Sequence, residues 1–232
     1  MIKFQAELTD VFFDLDHTLW DFEKNSMLTF EKIFAQLDLS VELSQFLATY
    51  NPINHAYWKL YRENQITQQE LRHNRLADTF SKINMKASTQ MVDEISEQYI
   101  NHLSTFPHLF EGVISLLENL QKRFRLHIIT NGFEEVQVKK ISNSKLTPYF
   151  DKMITSESAG FKKPRKEIFS HALKLTGAKL SESVMIGDDL QTDIQGAINI
   201  GMKSIYFNPN RKNHSFNVLA DVQNLLEIKS IL

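Results

Sequence analysis

Val11-Phe12-Phe13-Asp14-Leu15-Asp16-His17-Thr18-Leu19 is the stretch on which the fold turns. Three successive apolar residues are too few for a helix. Uninterrupted by polar residues, they suit a strand buried on both faces of a parallel sheet. Leu126-His127-Ile128-Ile129, Val184-Met185-Ile186 and Ser204-Ile205-Tyr206-Phe207 follow the same pattern. Amphipathic segments lie between these runs. Val113, Leu116, Leu117 and Leu120 form one helical stripe. Ile168, Phe169, Ala172 and Leu173 form a second, closed by Gly177, and Leu190, Ile194, Ala197 and Ile198 a third, closed by Gly201. Glycine directly after an apolar stripe predicts a left-handed cap. Strand and helix in alternation predict an α/β fold: a Rossmann-like, doubly wound parallel sheet.

The segment between the first strand and the rest has another composition. All seven glycines stand at position 112 or later, and between residues 20 and 105 the only proline is Pro52. A stretch nearly free of both punctuating residues reads as helices joined by polar turns. Leu28, Phe30, Ile33, Phe34 and Leu37 recur at helical spacing, as do Ala56, Trp58, Leu60 and Tyr61. The expected organisation is a catalytic core of residues 1–19 and 106–232 with an all-helical module, residues 20–105, inserted after the first strand. The aromatic residues Phe22, Phe30, Phe34, Trp58 and Tyr61 are read as the module's own core.

Composition narrows the function classes. Lysine and arginine number 26 against 28 acidic residues, which gives no electrostatic handle for a nucleic-acid polymer or an acidic membrane. The absence of cysteine excludes disulfides, thiolate catalysis and cysteine-ligated metal. No run approaches the ~18 apolar residues of a membrane span. The opening MIKFQAELTD does not read as a signal peptide, so a cytoplasmic protein is expected. The histidines show no HxxxH-like ligand spacing. Oligomeric state is left open, a monomer being compatible.

Ligands of open α/β sheets bind beyond the carboxyl ends of the strands. Asp14, Asp16 and Thr18 follow the first run, Thr130-Asn131-Gly132 the second, and Gly187-Asp188-Asp189 the third, with Asp193 four residues on. Lys162-Lys163-Pro164 precedes the helix of the second stripe. Carboxylates crowded at one sheet edge repel one another unless a cation is present, and an all-oxygen donor set with a phosphate suits Mg²⁺. One carboxylate is then free to attack phosphorus, while a lysine and a hydroxyl hold the phosphoryl oxygens.

Asp14-Leu15-Asp16-His17-Thr18 resembles the DxDxT signature of the haloacid dehalogenase superfamily phosphatases. Thr130-Asn131-Gly132, Lys163-Pro164 and Gly187-Asp188-Asp189-Leu190-Gln191-Thr192-Asp193 resemble its second, third and fourth motifs, in the same order. The helical insertion falls where that family carries a class 1 cap. The resemblance implies Asp14 as nucleophile, Asp16 as general acid and base, and Thr130, Lys163 and the Asn131 backbone amide as phosphate ligands. It further implies Mg²⁺ on Asp14, Asp188 and the Asp16 carbonyl, with Asp193 orienting Lys163 or the metal's waters. Asp189 departs from the small residue usual there, so its role stays open, and Lys162 is read as surface.

Asp16 argues against dehalogenation, which lacks the second carboxylate, and a non-catalytic binding protein on this fold would lack Asp14 or Asp16. The stretches Leu19-Trp20-Asp21-Phe22-Glu23, Thr130-Asn131-Gly132-Phe133 and Lys163-Pro164-Arg165-Lys166-Glu167-Ile168-Phe169 resemble the pyrimidine 5′-nucleotidases of noncanonical nucleotides. They point to a small phosphate ester, a nucleoside monophosphate, as partner. A phosphatase or phosphomutase acting on a small sugar phosphate is the alternative.

Overall fold

The computed structural model describes residues 7–232, so the start of the segment read above for a signal peptide lies outside the described residues. The described residues form two compact units, one of residues 7–22 and 107–232, the other of residues 23–106.

The first unit is built on six parallel strands: β1 (Asp10–Phe13), β2 (Arg125–Thr130), β3 (Lys152–Thr155), β4 (Ser183–Gly187), β5 (Lys203–Phe207) and β6 (Ala220–Val222). They lie in the order β3-β2-β1-β4-β5-β6. The chain winds outward from β1 through β2 to β3, then crosses to β4 and winds the other way. The reversal falls between β1 and β4, the switch point where doubly wound sheets open a crevice. β3 and β6, the edge strands, were not resolved among the apolar runs of the sequence. Each carries few apolar residues, as an edge position allows.

Phe12, Ile129, Ile154 and Met185 meet Ile168, Phe169, Ala172 and Ala197 in one buried layer, the last four on the helices Lys166–Thr176 and Gln195–Ile200. Gly177 and Gly201 close those helices with φ of +66° and +80°, as their positions after the stripes predict. The third stripe is less regular than expected. It opens with a π-helical turn, Leu190–Ile194, and Ile198 is exposed.

At the amino ends of the strands the parallel register sets Asp10 beside Arg125. Asp10 accepts hydrogen bonds from Arg125 Nη2 at 2.8 Å and from His127 Nε2 at 3.0 Å. Burial holds the His127 pKa below 6.5 against the pull of Asp10. His127 Nδ1 is buried without a partner among the described residues, which suits a neutral ring with a bare lone pair better than a cation with an unmatched N–H.

After β1 the chain makes a tight turn. Leu19 and Trp20 N–H both donate to the Leu15 carbonyl, at 2.9 and 2.8 Å. The outgoing and returning segments then pair antiparallel: Trp20 bridges Leu109, Asp21 N–H donates to His108 O, and Phe110 N–H donates to Leu19 O.

The second unit contains α-helices over Leu43–Arg62, Gln68–Lys82 and Thr89–Leu103, and most of another that starts at Phe22 and runs to Gln36. Thr67 and Glu70 form a reciprocal capping box at the start of the Gln68–Lys82 helix. Phe30, Phe46, Tyr50, Phe80 and Tyr99 make an aromatic core, with ring centroids 4.9 Å apart for Phe30–Phe46 and 4.7 Å for Phe30–Tyr99. The stripe expected at Ala56, Trp58, Leu60 and Tyr61 requires correction. Ala56 is exposed, and the buried face of the Leu43–Arg62 helix is Phe46, Tyr50, Asn54 and Tyr61. That face runs at steps of four, four and seven residues and carries a buried amide, which an apolar count passes over.

Candidate active site

Parallel register brings the motifs together. Phe13 lies beside Ile128 on one side and Ile186 on the other, so the residues that follow these strand positions share one edge of the sheet. Asp14 stands one residue past β1, with its N–H donating to Ile186 O at 2.9 Å. Asp188 stands one residue past β4, and Thr130 ends β2.

Lys163 is the hub. It is 2 % exposed, and its ammonium donates to Asp14 Oδ1 at 2.5 Å and to Ile129 O at 2.8 Å, with Asp193 Oδ1 at 2.7 Å. Three acceptors match its three protons. Asn131 fixes this lysine's main chain: its Oδ1 accepts from Lys163 N at 2.8 Å and its Nδ2 donates to Lys163 O at 3.1 Å. The side chain of Asn131, not only its amide, thus belongs to the constellation. Lys162, read as surface, is half-buried.

Asp14, Asp188 and Asp193 each offer a carboxylate oxygen within 4.8 Å of the other two. Burial pushes Asp14 up to about 7; the Lys163 charge opposes the shift, and Asp193 and Asp16 add to it. Burial, reinforced by the charges of Asp14 and Asp193, lifts Asp188 well above the carboxylate range. Burial also raises Asp193, against Lys163. Lys163 is raised as well: burial works against its charge, but Asp14 and Asp193 prevail and hold it above its ordinary value. One ammonium among the buried carboxylates of Asp14 and Asp193 and the half-buried one of Asp188 leaves negative charge uncompensated. An all-oxygen set of this kind fits a hard divalent cation such as Mg²⁺. Asp14 and Asp188 have oxygens to offer. Both oxygens of Asp193 are engaged, Oδ1 by Lys163 and Oδ2 by the Asp189 N–H at 3.1 Å.

Thr18, quoted above only as part of a motif, donates to Asp188 Oδ1 at 3.1 Å and lies 3.4 Å from Asp14 Oδ2. Asp189 caps the π-helical turn, its Oδ1 accepting from Gln191 N at 2.7 Å and Thr192 N at 3.1 Å. Gly187 has no room for a side chain: a Cβ there would lie 2.2 Å from Asp193 Oδ2.

Thr130 Oγ1 accepts two hydrogen bonds, from Gly132 N–H at 3.1 Å and from Gln137 Nε2 at 2.7 Å. Both lone pairs are filled, so this hydroxyl can act only as a donor. Asp16 accepts from Gln137 Nε2 at 2.9 Å and from Lys140 Nζ at 2.5 Å. Gln137 and Lys140, on the helix Glu134–Asn143, were missed in the sequence. Their signal is an inverted pattern: these polar residues are buried while Val138 of the same helix is 48 % exposed.

A parallel sheet of this order, with paired aspartates after its first strand and a buried lysine facing them, defines a class. The chain belongs to the haloacid dehalogenase-like hydrolases, whose family model matches residues 11–207. Among individual relatives it is 28 % identical over 225 residues to the pyrimidine 5′-nucleotidase YjjG of Escherichia coli, covering 96 % of both chains. It is 30 % identical over 204 residues to a glyceraldehyde 3-phosphate phosphatase of Methanothermobacter thermautotrophicus, covering 87 % of this chain and 86 % of that one. The magnesium-bound crystal structure of the HAD-hydrolase YfnB from Bacillus subtilis superposes with a TM-score of 0.89 at 27 % identity, covering 97 % and 99 % of the two chains. No described helix is long and apolar enough to cross a membrane.

Proposed function

We propose that the chain is a magnesium-dependent phosphomonoester hydrolase that works through an aspartyl-phosphate, with pyrimidine nucleoside 5′-monophosphates as its substrates. The observation that carries this reading is the pairing of buried Asp14 with Lys163, beside a Thr130 hydroxyl left free only to donate. An Asp14 oxygen attacks phosphorus and the bond to the ester oxygen breaks, with Asp16 giving that oxygen its proton. A water then attacks phosphorus and loses a proton to Asp16. The bond to Asp14 breaks, and inorganic phosphate and the free carboxylate are regenerated. Thr130, Lys163 and the Asn131 amide hold the phosphoryl oxygens meanwhile. Mg²⁺ held by Asp14, Asp188 and the Asp16 carbonyl would neutralise phosphoryl charge, and Asp193 orients Lys163.

The substrate class rests on the likeness to YjjG over nearly the whole chain. The likeness to a glyceraldehyde 3-phosphate phosphatase supports a second reading, a small sugar or triose phosphate. Residues 20–105 are assigned the role of a cap that discriminates among leaving groups. The test is phosphate release with Mg²⁺ across nucleoside monophosphates and sugar phosphates, with Asp14→Asn alongside. We expect pyrimidine nucleotides to be preferred, chelator to abolish turnover, and Asp14→Asn to be inert with an unchanged circular dichroism spectrum. A folded, active Asp14→Asn variant overturns the mechanism; preference for sugar phosphates overturns the substrate class.

A further inference from the structure

We infer that Gln137 and Lys140 are positioning residues that hold the Asp16 carboxylate in fixed register with the Thr130 hydroxyl. The inference rests on the reading above, in which Thr130 grips the phosphoryl group and Asp16 serves the leaving oxygen.

Four observations carry it. Gln137 is fully buried, and its one amide nitrogen spans Asp16 Oδ2 at 2.9 Å and Thr130 Oγ1 at 2.7 Å. The reversed amide is ruled out by charge, since it would turn an oxygen toward a carboxylate. The remaining oxygen, Oε1, is buried without a hydrogen-bond partner among the described residues. A buried carbonyl left bare weakens a fold, so this glutamine is poorly explained by stability.

Lys140 supplies the second grip. It is 2 % exposed, donates to Asp16 Oδ1, and lies 4.2 Å above the centroid of the Trp20 ring. Burial lowers its pKa, against the pull of Asp16 and Asp14. An apolar residue would fill the same space without the desolvation. Each Asp16 oxygen thus has its own donor, and the carboxylate plane is pinned.

The helix that bears both residues turns polar groups inward and Val138 outward, against the hydrophobic pattern. Gly132 completes the arrangement, because a Cβ there would fall 2.3 Å from Gln137 Nε2. The glycine of the second motif therefore makes room for Gln137. Asp16 and Thr130 lie on different strand ends, and Gln137 is the direct bond between them. That bond sets where the proton donor stands relative to the held phosphoryl group.

The test compares kcat/KM for two esters, the best-turned-over nucleoside monophosphate and para-nitrophenyl phosphate, whose leaving group needs little protonation. Lys140→Met and Gln137→Leu keep the bulk and remove the grip. We expect each to lower kcat/KM about 100-fold for the nucleotide, the scale set by a small misplacement of a reacting group, and less than about tenfold for the activated ester. Asp16→Asn should show the same selectivity, and Lys140→Arg should recover most of the loss. A crystal structure of Lys140→Met should show the Asp16 side chain rotated or split. Equal loss on both esters, or none, overturns the inference. If Lys140→Met or Gln137→Leu does not fold, Gln137→Asn, too short to span both partners, is read on the same two esters by the same criteria. Asp14→Asn separates the two readings. If it stays active, the aspartyl-phosphate reading fails. If it is inert and Asp16→Asn is selective while the Lys140 and Gln137 variants are not, the positioning inference fails alone.

Discussion

Thr130 shows how much one hydroxyl's surroundings decide. With both lone pairs filled by Gly132 N–H and Gln137 Nε2, its proton is aimed by elimination rather than by chance. Thr130→Val keeps the shape and removes the donor. It should lower kcat/KM by about 10²–10³-fold, the usual consequence of deleting one donor to a developing oxyanion, while Thr130→Ser should retain most activity. Steady-state kinetics on one nucleotide checks both; an active valine variant would assign the phosphoryl oxygens to other donors. Asp188 is the second case. Its Oδ1 accepts only a weak hydroxyl, so the residue has oxygen to give a cation. Asp188→Ala should raise the Mg²⁺ concentration needed for half-maximal activity. A titration with unchanged midpoint would place the ligand elsewhere, with Asp189 or Asp193 next to test.

The strands and helices were legible where their side chains repeat. β1, β2, β4 and β5 are buried on both faces and show as unbroken apolar runs, and Gly177 and Gly201 mark helix ends by backbone geometry. β3 and β6 lie at the sheet's edges and carry too few apolar residues to stand out. Asp14, Thr130 and Asp188 were legible as candidates because each ends or directly follows a strand, Lys163 because it precedes a motif proline, and Asp16 and Asp193 by their spacing from Asp14 and Asp188 within the motifs. Gln137 and Lys140 were not, because they reach the site from the middle of a helix, where a polar residue ordinarily faces water. The opposite end of the sheet gives a prediction of its own. The folded His127 has a pKa below 6.5, so as pH falls through 6.5 the unfolded chain gains a proton that the fold refuses. Asp10 acts in the same sense at lower pH. Burial pushes its carboxyl up, but hydrogen bonds from Arg125 and His127 prevail and hold it below 3.8. His127's own contribution to stability should therefore be lost as pH drops from 7 toward 5, while the carboxyls of Asp14, Asp188 and Asp193, raised by burial, favour the fold in the same window, so the difference between the wild-type and His127→Gln profiles isolates it. Urea midpoints at both pH values measure it, and an equal slope in the variant would assign the loss elsewhere.

At the scale of the whole molecule, two compact units divide the chain, and the aspartates of the candidate site all belong to the one that holds the sheet. Replacing Glu23–Phe106 with a short linker should leave that unit folded, since its buried layer is built from its own residues. Turnover of nucleotides should then fall much further than that of para-nitrophenyl phosphate. Circular dichroism and the ratio of the two rates check this; an unchanged ratio would place discrimination in the sheet's own loops. The paired segments at Trp20 and Leu109 carry a consequence for ancestry. A hairpin stem asks only that whatever lies beyond it return its ends side by side, and the entropy of closing such a loop rises only as the logarithm of its length. The sheet is thus nearly indifferent to how long or how structured the intervening chain is. Such a joint lets the insert lengthen, shorten or be exchanged wholesale while the site at the strand ends is inherited intact.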